Sequence, residues 1–179
     1  MPSSSMRDVI LDAAEKRIRA VGYNAVSFRE LATDVGVKSA SIHYHFPQKS
    51  DLGVELVTRY STRFHERLEE IDTSEIRPAL EAFLSLYSAA LVLGNSVCLC
   101  AILGAEANGL PSDINDKIKA FFELNAAWLS ALFERHNVLM DKYPPLEILA
   151  SLEGSMIIAS SLQDRSVLDG TIRRILNVF

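Results

Sequence analysis

The chain has few of the residues that cross-link a fold or interrupt its helices and strands, with two cysteines, six prolines and eight glycines among 179 residues. Cys98 and Cys100 are two positions apart, so on a helix their thiols point to different sides and a disulfide between them is not expected. A structural zinc site needs four converging ligands at wider spacings. We expect ordinary buried thiols. The alternative is that Cys98, at the start of a predicted helix, forms a thiolate that an electrophile or oxidant modifies.

Long hydrophobic runs are also absent. Although 49% of the residues are hydrophobic, no uninterrupted apolar run approaches the roughly 20 residues that a membrane helix needs. The apolar run at residues 89–93 is far too short. Residues 1–6 lack the basic and then apolar pattern of a secretory signal and resemble a leader. The sequence predicts no membrane partner and a cytoplasmic protein.

Catalytic signatures are missing as well. The sequence contains no nucleophile elbow, glycine-rich phosphate loop or metal-binding helix motif. His43 and His45 diverge by about 200° on a helix and have no supporting ligand cluster in the sequence. We therefore predict no enzymatic activity, no metal and no cofactor.

Acidic residues exceed basic ones, and the formal net charge is -5. The excess lies almost wholly after residue 71, whereas residues 1–49 hold seven basic and five acidic residues. Phosphate attraction is local because salt screens it over about 10 Å. The distribution permits specific DNA binding by the N-terminal part and disfavours general adhesion to polyanions.

What the chain does contain is helical periodicity, with apolar residues three and four positions apart over most of its length and no strand signal. The pattern predicts an all-α protein. The predicted helices span about residues 7–21, 27–35, 39–46, 48–68, 74–93, 98–108, 114–133, 145–163 and 166–178, and Gly94-Asn95 marks the end of the fifth.

Residues 27–52 have the pattern of a helix-turn-helix. Ser27 and Glu30 can form a capping box at the start of the first helix, and Gly36 permits the left-handed backbone that ends it. A second helix then runs from Ser39 until Pro47 stops it. Its residues Ala40, Ile42, His43 and Phe46 recur at helical spacing, and Ser39, Ser41, Tyr44 and His45 remain for the other side. Small polar residues of this kind let a helix approach the major groove.

These residues resemble the TetR family of bacterial transcriptional regulators. The matching positions are Ser27, Arg29, Leu31, Ala32, Gly36, Val37, Ile42, His45, Phe46 and Lys49. The chain departs from the family pattern at Lys38, Ala40 and His43. The motif covers the first quarter to third of the chain, and beyond it only the helical pattern and the length fit.

The resemblance implies a three-helix DNA-binding head at residues 1–49 and a helical ligand-binding and dimerisation body at residues 50–179, connected by the helix at about 48–68. It places Ser27, Lys38, Ser39, Tyr44, His45 and Lys49 at DNA phosphates. Ala40, Ser41 and His43 fall at base edges or adjacent phosphates. The alternative for His43 and Phe46 is that they face inward and hold the second of the two helices, the recognition helix, in place.

For the body, the resemblance implies a pocket for a small, mostly apolar effector. The candidate lining residues are Phe83, Tyr87, Leu103, Phe121, Phe122, Asn125, Trp128 and Met156, and the alternative for each is the hydrophobic core. The last two helices are candidates for a homodimer interface formed by Leu149, Leu152, Met156, Ile157, Ser160, Ile172, Ile175 and Leu176. Some of these residues are expected to close the core of the body as well.

The function implied is that of a repressor that binds double-stranded DNA at a palindromic operator as a homodimer and is released by an effector. A DNA-binding regulator without a small-molecule ligand, which answers to a protein partner or to cysteine modification, is the alternative.

Overall fold

The computed structural model describes residues 5–94 and 97–179, with the backbone alone for residues 90–94. Within these residues the chain forms nine α-helices, one short 3₁₀ turn and no β-strand. The helices are α1 (Met6–Val21), α2 (Phe28–Val35), α3 (Ser39–His45), α4 (Lys49–Glu69), α5 (Ile76–Gly94), α6 (Leu99–Ala105), α7 (Ser112–Arg135), α8 (Pro145–Leu162) and α9 (Ser166–Leu176).

The all-α prediction is confirmed, and each predicted helix is present with its ends shifted by a few residues. The largest difference follows α6, where the helix ends at Ala105 and a 3₁₀ turn, Ala107–Gly109, replaces its predicted last turn. The predicted helix stop at Gly94-Asn95 lies partly outside the described residues, as does most of the predicted leader at residues 1–6.

The chain forms two compact units. The first consists of Met1–Ser61 and Leu99–Ile118, and the second of Thr62–Cys98 and Lys119–Phe179. Both α4 and α7 therefore contribute to each unit. A domain boundary at residue 49 stays a prediction.

The core of the first unit is formed by apolar stripes on its helices. Ile10, Ala14 and Ile18 of α1 are fully buried at helical spacing, which is the amphipathic pattern of a helix that packs on one side. Ile42 of α3 and Leu56 of α4 are buried as well. This packing fixes α3 on the remaining helices of the unit.

The core of the second unit contains large side chains from α5, α7, α8 and α9. Those fully or almost fully buried include Phe83, Leu84, Leu129, Phe133, Leu152, Met156 and Leu168. In this unit α9 packs against both α8 and α5.

Helix α8 has apolar residues both on its buried side and among its exposed positions. Among the described residues it is the one helix that is long and apolar enough to span a membrane by length and composition, and 39% of its sequence is buried in the protein. It also contains Glu147 and the buried Glu153, so its apolar run is interrupted. The outward apolar side chains of α8 are candidates for contact with another protein surface.

Candidate DNA-binding surface

Helix α2 begins with the predicted capping box. The Ser27 hydroxyl accepts a hydrogen bond from the Glu30 amide at 3.3 Å, and the Glu30 carboxylate accepts from the Ser27 amide at 2.9 Å. The same carboxylate accepts from the Ser27 hydroxyl at 2.8 Å. The hydroxyl and amide bonds from Ser27 hold the pKa of Glu30 below its usual value. The Ser27 side chain, predicted to meet a phosphate, thus already has a structural partner.

The turn between α2 and α3 depends on Gly36. Its φ of 76° and ψ of 32° are left-handed, a conformation that is costly for residues with a Cβ. The Gly36 and Val37 amides donate to carbonyl groups of the last turn of α2, which completes its C-terminal hydrogen bonds. The turn then directs the chain into α3 at Ser39.

The outward face of α3 consists of Ala40, His43 and Tyr44, which are all exposed. Their spacing of three and four residues places them on one side of the helix. Lys38 is exposed immediately before them, and Tyr44 is 83% exposed.

The sequence interpretation of α3 was partly wrong. Ile42 and Phe46 are buried as expected, but Ala40 and His43 of the same predicted stripe are exposed. The buried Ile42 and the C-cap Phe46, four positions apart, set the inward side of this segment, and Ala40, two positions before Ile42, and His43, one position after it, fall outside that side. The inward alternative therefore holds for Phe46 and fails for His43, whose ring edge contacts Phe28 with 4.8 Å between ring centroids.

The three other predicted contact residues of α3, Ser39, Ser41 and His45, are half-buried on the flanks of the outward face. The rings of His45 and Tyr44 make an edge contact with centroids 5.1 Å apart. Every α3 residue that was predicted to contact DNA is therefore at least partly exposed, either on the outward face of the helix or on its flanks. Their contacts with DNA remain a prediction.

Lys49 begins α4 and lies beside the loop that joins α1 to α2. Its ammonium lies 4.3 Å from the centroid of the Tyr23 ring and 3.5 Å from the Asn24 carbonyl oxygen, to which it donates. Partial burial lowers the pKa of Lys49, and attraction to Glu106 and Glu30 opposes that shift. The ammonium is therefore positioned by its neighbours.

Sequence reasoning missed Arg7, which anchors the end of α3. Its guanidinium donates to the His45 carbonyl at 2.9 Å, pairs with Glu55 of α4 and lies 4.6 Å from the centroid of the Phe46 ring. These contacts join residues about 40 to 50 positions apart, so no local sequence signal could have revealed them.

Glu106 was missed for the same reason. Its carboxylate accepts hydrogen bonds from the Tyr23 amide at 3.0 Å, the Asn24 amide at 3.2 Å and the Asn24 side-chain amide at 3.1 Å. The residues that follow α6 are thereby bonded directly to the α1–α2 loop.

Most of the candidate effector-binding residues are buried, with Phe122 and Trp128 half-buried. In the second unit, Phe83 stacks on Trp128 at 5.1 Å between centroids and also contacts Tyr87 at 5.4 Å. Phe64, which was not predicted, joins Tyr87 to Phe121 through ring contacts of 5.5 and 5.3 Å.

Asn125 has a polar side chain and lies in the sequence between Phe121 and Trp128 of this aromatic cluster. Its side-chain amide donates to the Phe121 carbonyl at 2.7 Å. Its buried Oδ1 atom has no hydrogen-bond partner within the described part of the chain. An unsatisfied buried acceptor is costly, and a ligand donor would relieve that cost.

Three of the candidate dimer residues, Leu149, Leu152 and Met156, are buried within the protomer and form its own core. Ile157 is exposed, whereas Ser160, Ile172, Ile175 and Leu176 are half-buried. Leu146, Ile158 and Leu162, which were not predicted, are exposed on α8. Cys98 and Cys100 are both buried and form no disulfide.

Comparisons with known proteins match this arrangement. The family model described as "Bacterial regulatory proteins, tetR family" matches residues 10–56. No curated protein matches the chain.

The chain is similar over its full length to solved structures. A TetR transcriptional regulator from Legionella pneumophila is 29% identical, with a TM-score of 0.91 and 100% of both chains covered. A TetR-family transcriptional regulator from Agrobacterium tumefaciens is 27% identical, with a TM-score of 0.90, covering 97% of this chain and 96% of the other. The regulatory protein TetR from Rhodobacter sphaeroides shares the fold at 21% identity and a TM-score of 0.84, with 97% of this chain and 98% of the other covered.

Proposed function

The chain belongs to the TetR family of bacterial transcriptional regulators, and on this basis we propose that it represses transcription by binding a near-palindromic operator as a homodimer. A small, mostly apolar effector releases it from DNA. The protein acts in the cytoplasm and carries out no enzymatic reaction.

The observation that carries this proposal is the outward face of α3. Ala40, His43 and Tyr44 are exposed between the left-handed turn at Gly36 and the stop at Pro47, and α3 contains no acidic residue. Tyr44 and His43 supply hydrogen-bonding groups, and the Ala40 methyl group allows close approach to a base edge or a thymine methyl. Lys38 and Lys49 supply phosphate contacts that fix the register.

A homodimer is supported by the exposed side of α8. Leu146, Ala150, Gly154, Ile158 and Leu162 recur every four residues along it, and none of them is buried. Small residues in the middle of such a stripe let a second helix approach closely. Ile157 is 44%, Ile158 51% and Leu162 65% exposed, which is costly in water and favourable against a second copy. Two recognition helices about 34 Å apart then match a symmetric operator.

Effector control is supported by the aromatic cluster of Phe64, Phe83, Tyr87, Phe121 and Trp128 and by the unsatisfied acceptor on Asn125. Aromatic walls with a few polar groups are typical of small-molecule sites. An effector that prefers the DNA-incompetent conformation would shift the population by about 1–3 kcal/mol. Burial of both cysteines disfavours control by thiol modification.

The first test is selection of duplexes from random-sequence DNA by the purified protein. We expect a symmetric consensus, and a protein that enriches no sequence would contradict the operator assignment. Release of the selected duplex by members of a library of small apolar compounds tests effector control. Operator affinity that no compound changes would contradict release by an effector.

The second test uses Lys38→Ala, with Lys117→Ala as the matched control because both side chains are exposed. Loss of one phosphate contact reduces the slope of log K against log[salt] by about 0.9. We expect this reduction for Lys38→Ala and an unchanged slope for Lys117→Ala. Equal slopes for the two variants would place Lys38 away from DNA.

A further inference from the structure

The α1–α2 loop is contacted by two charged side chains from distant parts of the sequence. Glu106 accepts from the Tyr23 amide, the Asn24 amide and the Asn24 side-chain amide. Lys49 donates to the Asn24 carbonyl and lies over the Tyr23 ring. Asn24 and Tyr23 therefore connect the residues after α6 to the start of α4.

The bonds of Glu106 require a carboxylate. One oxygen, Oε1, accepts from Tyr23, and the other, Oε2, accepts both donors of Asn24. A glutamine has one acceptor oxygen and one donor nitrogen, so in either orientation it would turn an N–H group toward a backbone N–H. Aspartate keeps both oxygens but has a shorter side chain.

The backbone around this contact is also adapted to it. Gly22 has a φ of 83°, and a Cβ at this position would overlap the Glu106 carboxylate. A Cβ on Gly109 would lie 3.2 Å from the Asn24 side-chain nitrogen. Glycine at both positions allows the close approach of the two segments.

We propose that Glu106 is a positioning residue for DNA binding, which holds the α1–α2 loop and, through Asn24, sets the ammonium of Lys49 where it meets a backbone phosphate. This inference rests on the proposed function, because it assigns Lys49 to a phosphate. Glu106 touches no DNA in this arrangement. Since it directly follows α6, any displacement of the end of α6 acts on the same three hydrogen bonds and hence on Lys49.

The experiment is Glu106→Gln, because its charge effect and its positioning effect have opposite signs. Removing a negative charge strengthens attraction to DNA in general, whereas misplacing Lys49 weakens binding. We expect Glu106→Gln to bind the selected duplex about tenfold more weakly, as loss of a charge-assisted hydrogen bond network implies. Glu70→Gln removes the same charge from an exposed position and should bind as the wild type does or slightly more tightly.

A double-mutant cycle that combines Glu106→Gln with Lys49→Ala tests whether Glu106 acts on DNA binding through Lys49. If Glu106 acts through Lys49, the two substitutions are less than additive, and each alone lowers the salt slope by about 0.9. Glu106→Asp should restore part of the affinity. Urea unfolding and hydrogen exchange of the Tyr23 and Asn24 amides show separately that the variants fold and that the loop has loosened.

Affinity of Glu106→Gln equal to or above that of the wild type would overturn the inference, as would additive effects in the cycle. The same cycle is measured on a single arbitrary duplex of about 20 base pairs. If the wild type enriches no sequence but Glu106→Gln still weakens binding to that duplex through Lys49, the operator assignment fails and the positioning role stands. A wild type that binds no duplex at all contradicts both.

Discussion

At the scale of the residue, two glycines with positive φ show how the same residue type serves different ends. Gly36 has open space around the position of a Cβ, and its φ is 76°. Gly22 has a φ of 83° and a ψ of 163°, with the Glu106 carboxylate where a Cβ would lie. Gly36 is needed for its backbone conformation alone, whereas Gly22 is needed for both its conformation and its lack of a side chain.

We expect Gly36→Ala to lower the free energy of unfolding by about 1 kcal/mol, the usual cost of a left-handed alanine. Gly22→Ala should cost more, because its backbone region is almost restricted to glycine and because the new methyl group displaces Glu106. Urea unfolding measures both. In a Glu106→Ala background, Gly22→Ala should lower the free energy of unfolding by less. An unchanged loss of free energy would show that the Glu106 side chain of the wild type moves away from the new methyl group without cost.

At the scale of the element, α2 depends on its first turn. The Ser27 hydroxyl and the Glu30 carboxylate bond each other's backbone amides, and loss of such a cap costs about 1 kcal/mol. We expect Ser27→Ala to lower the unfolding free energy by this amount in urea titrations. Thr33→Ala, at an exposed position outside the first turn of α2, is the control and should change it less.

The same turn predicts a pH dependence. The bonds from Ser27 hold the pKa of Glu30 below its usual value, so the folded state binds the proton more weakly than the unfolded state. The resulting stability is present at neutral pH and is lost as the pH falls through the folded pKa. The difference in unfolding free energy between wild type and Glu30→Gln should therefore shrink from about pH 7 to about pH 3. A difference that does not change with pH would contradict this.

At the scale of the whole molecule, we propose that the exposed apolar side of α8, which includes Ile157 beside the stripe, forms the dimer interface. We expect Ile157→Glu to yield a folded monomer, because a charge at the centre of an apolar interface is costly to bury, and to weaken binding to the selected duplex strongly. Leu139→Glu, at an exposed residue outside α8 and α9, should remain dimeric. Sedimentation measures the mass of each variant, and circular dichroism shows whether it is folded. If Ile157→Glu is still a dimer, the interface does not include Ile157.

Much of the fold was determined by the sequence, because its signals are local. Apolar spacing located each helix, the Ser27–Glu30 pair marked the start of α2, and Gly36 and Pro47 bounded α3. These depend on interactions within one turn of a helix, which a short stretch of sequence contains in full.

Only the tertiary structure decided which side of α3 faces outward, because Ile42 and Phe46 compete for the core with Ala40 and His43 at similar spacing. It also decided that Leu149, Leu152 and Met156 belong to the protomer core, whereas Ile157, Ile158 and Leu162 are exposed. The contacts of Glu106 with Tyr23 and Asn24 join residues more than 80 positions apart. Such contacts are set by how the helices pack, and no local pattern encodes them.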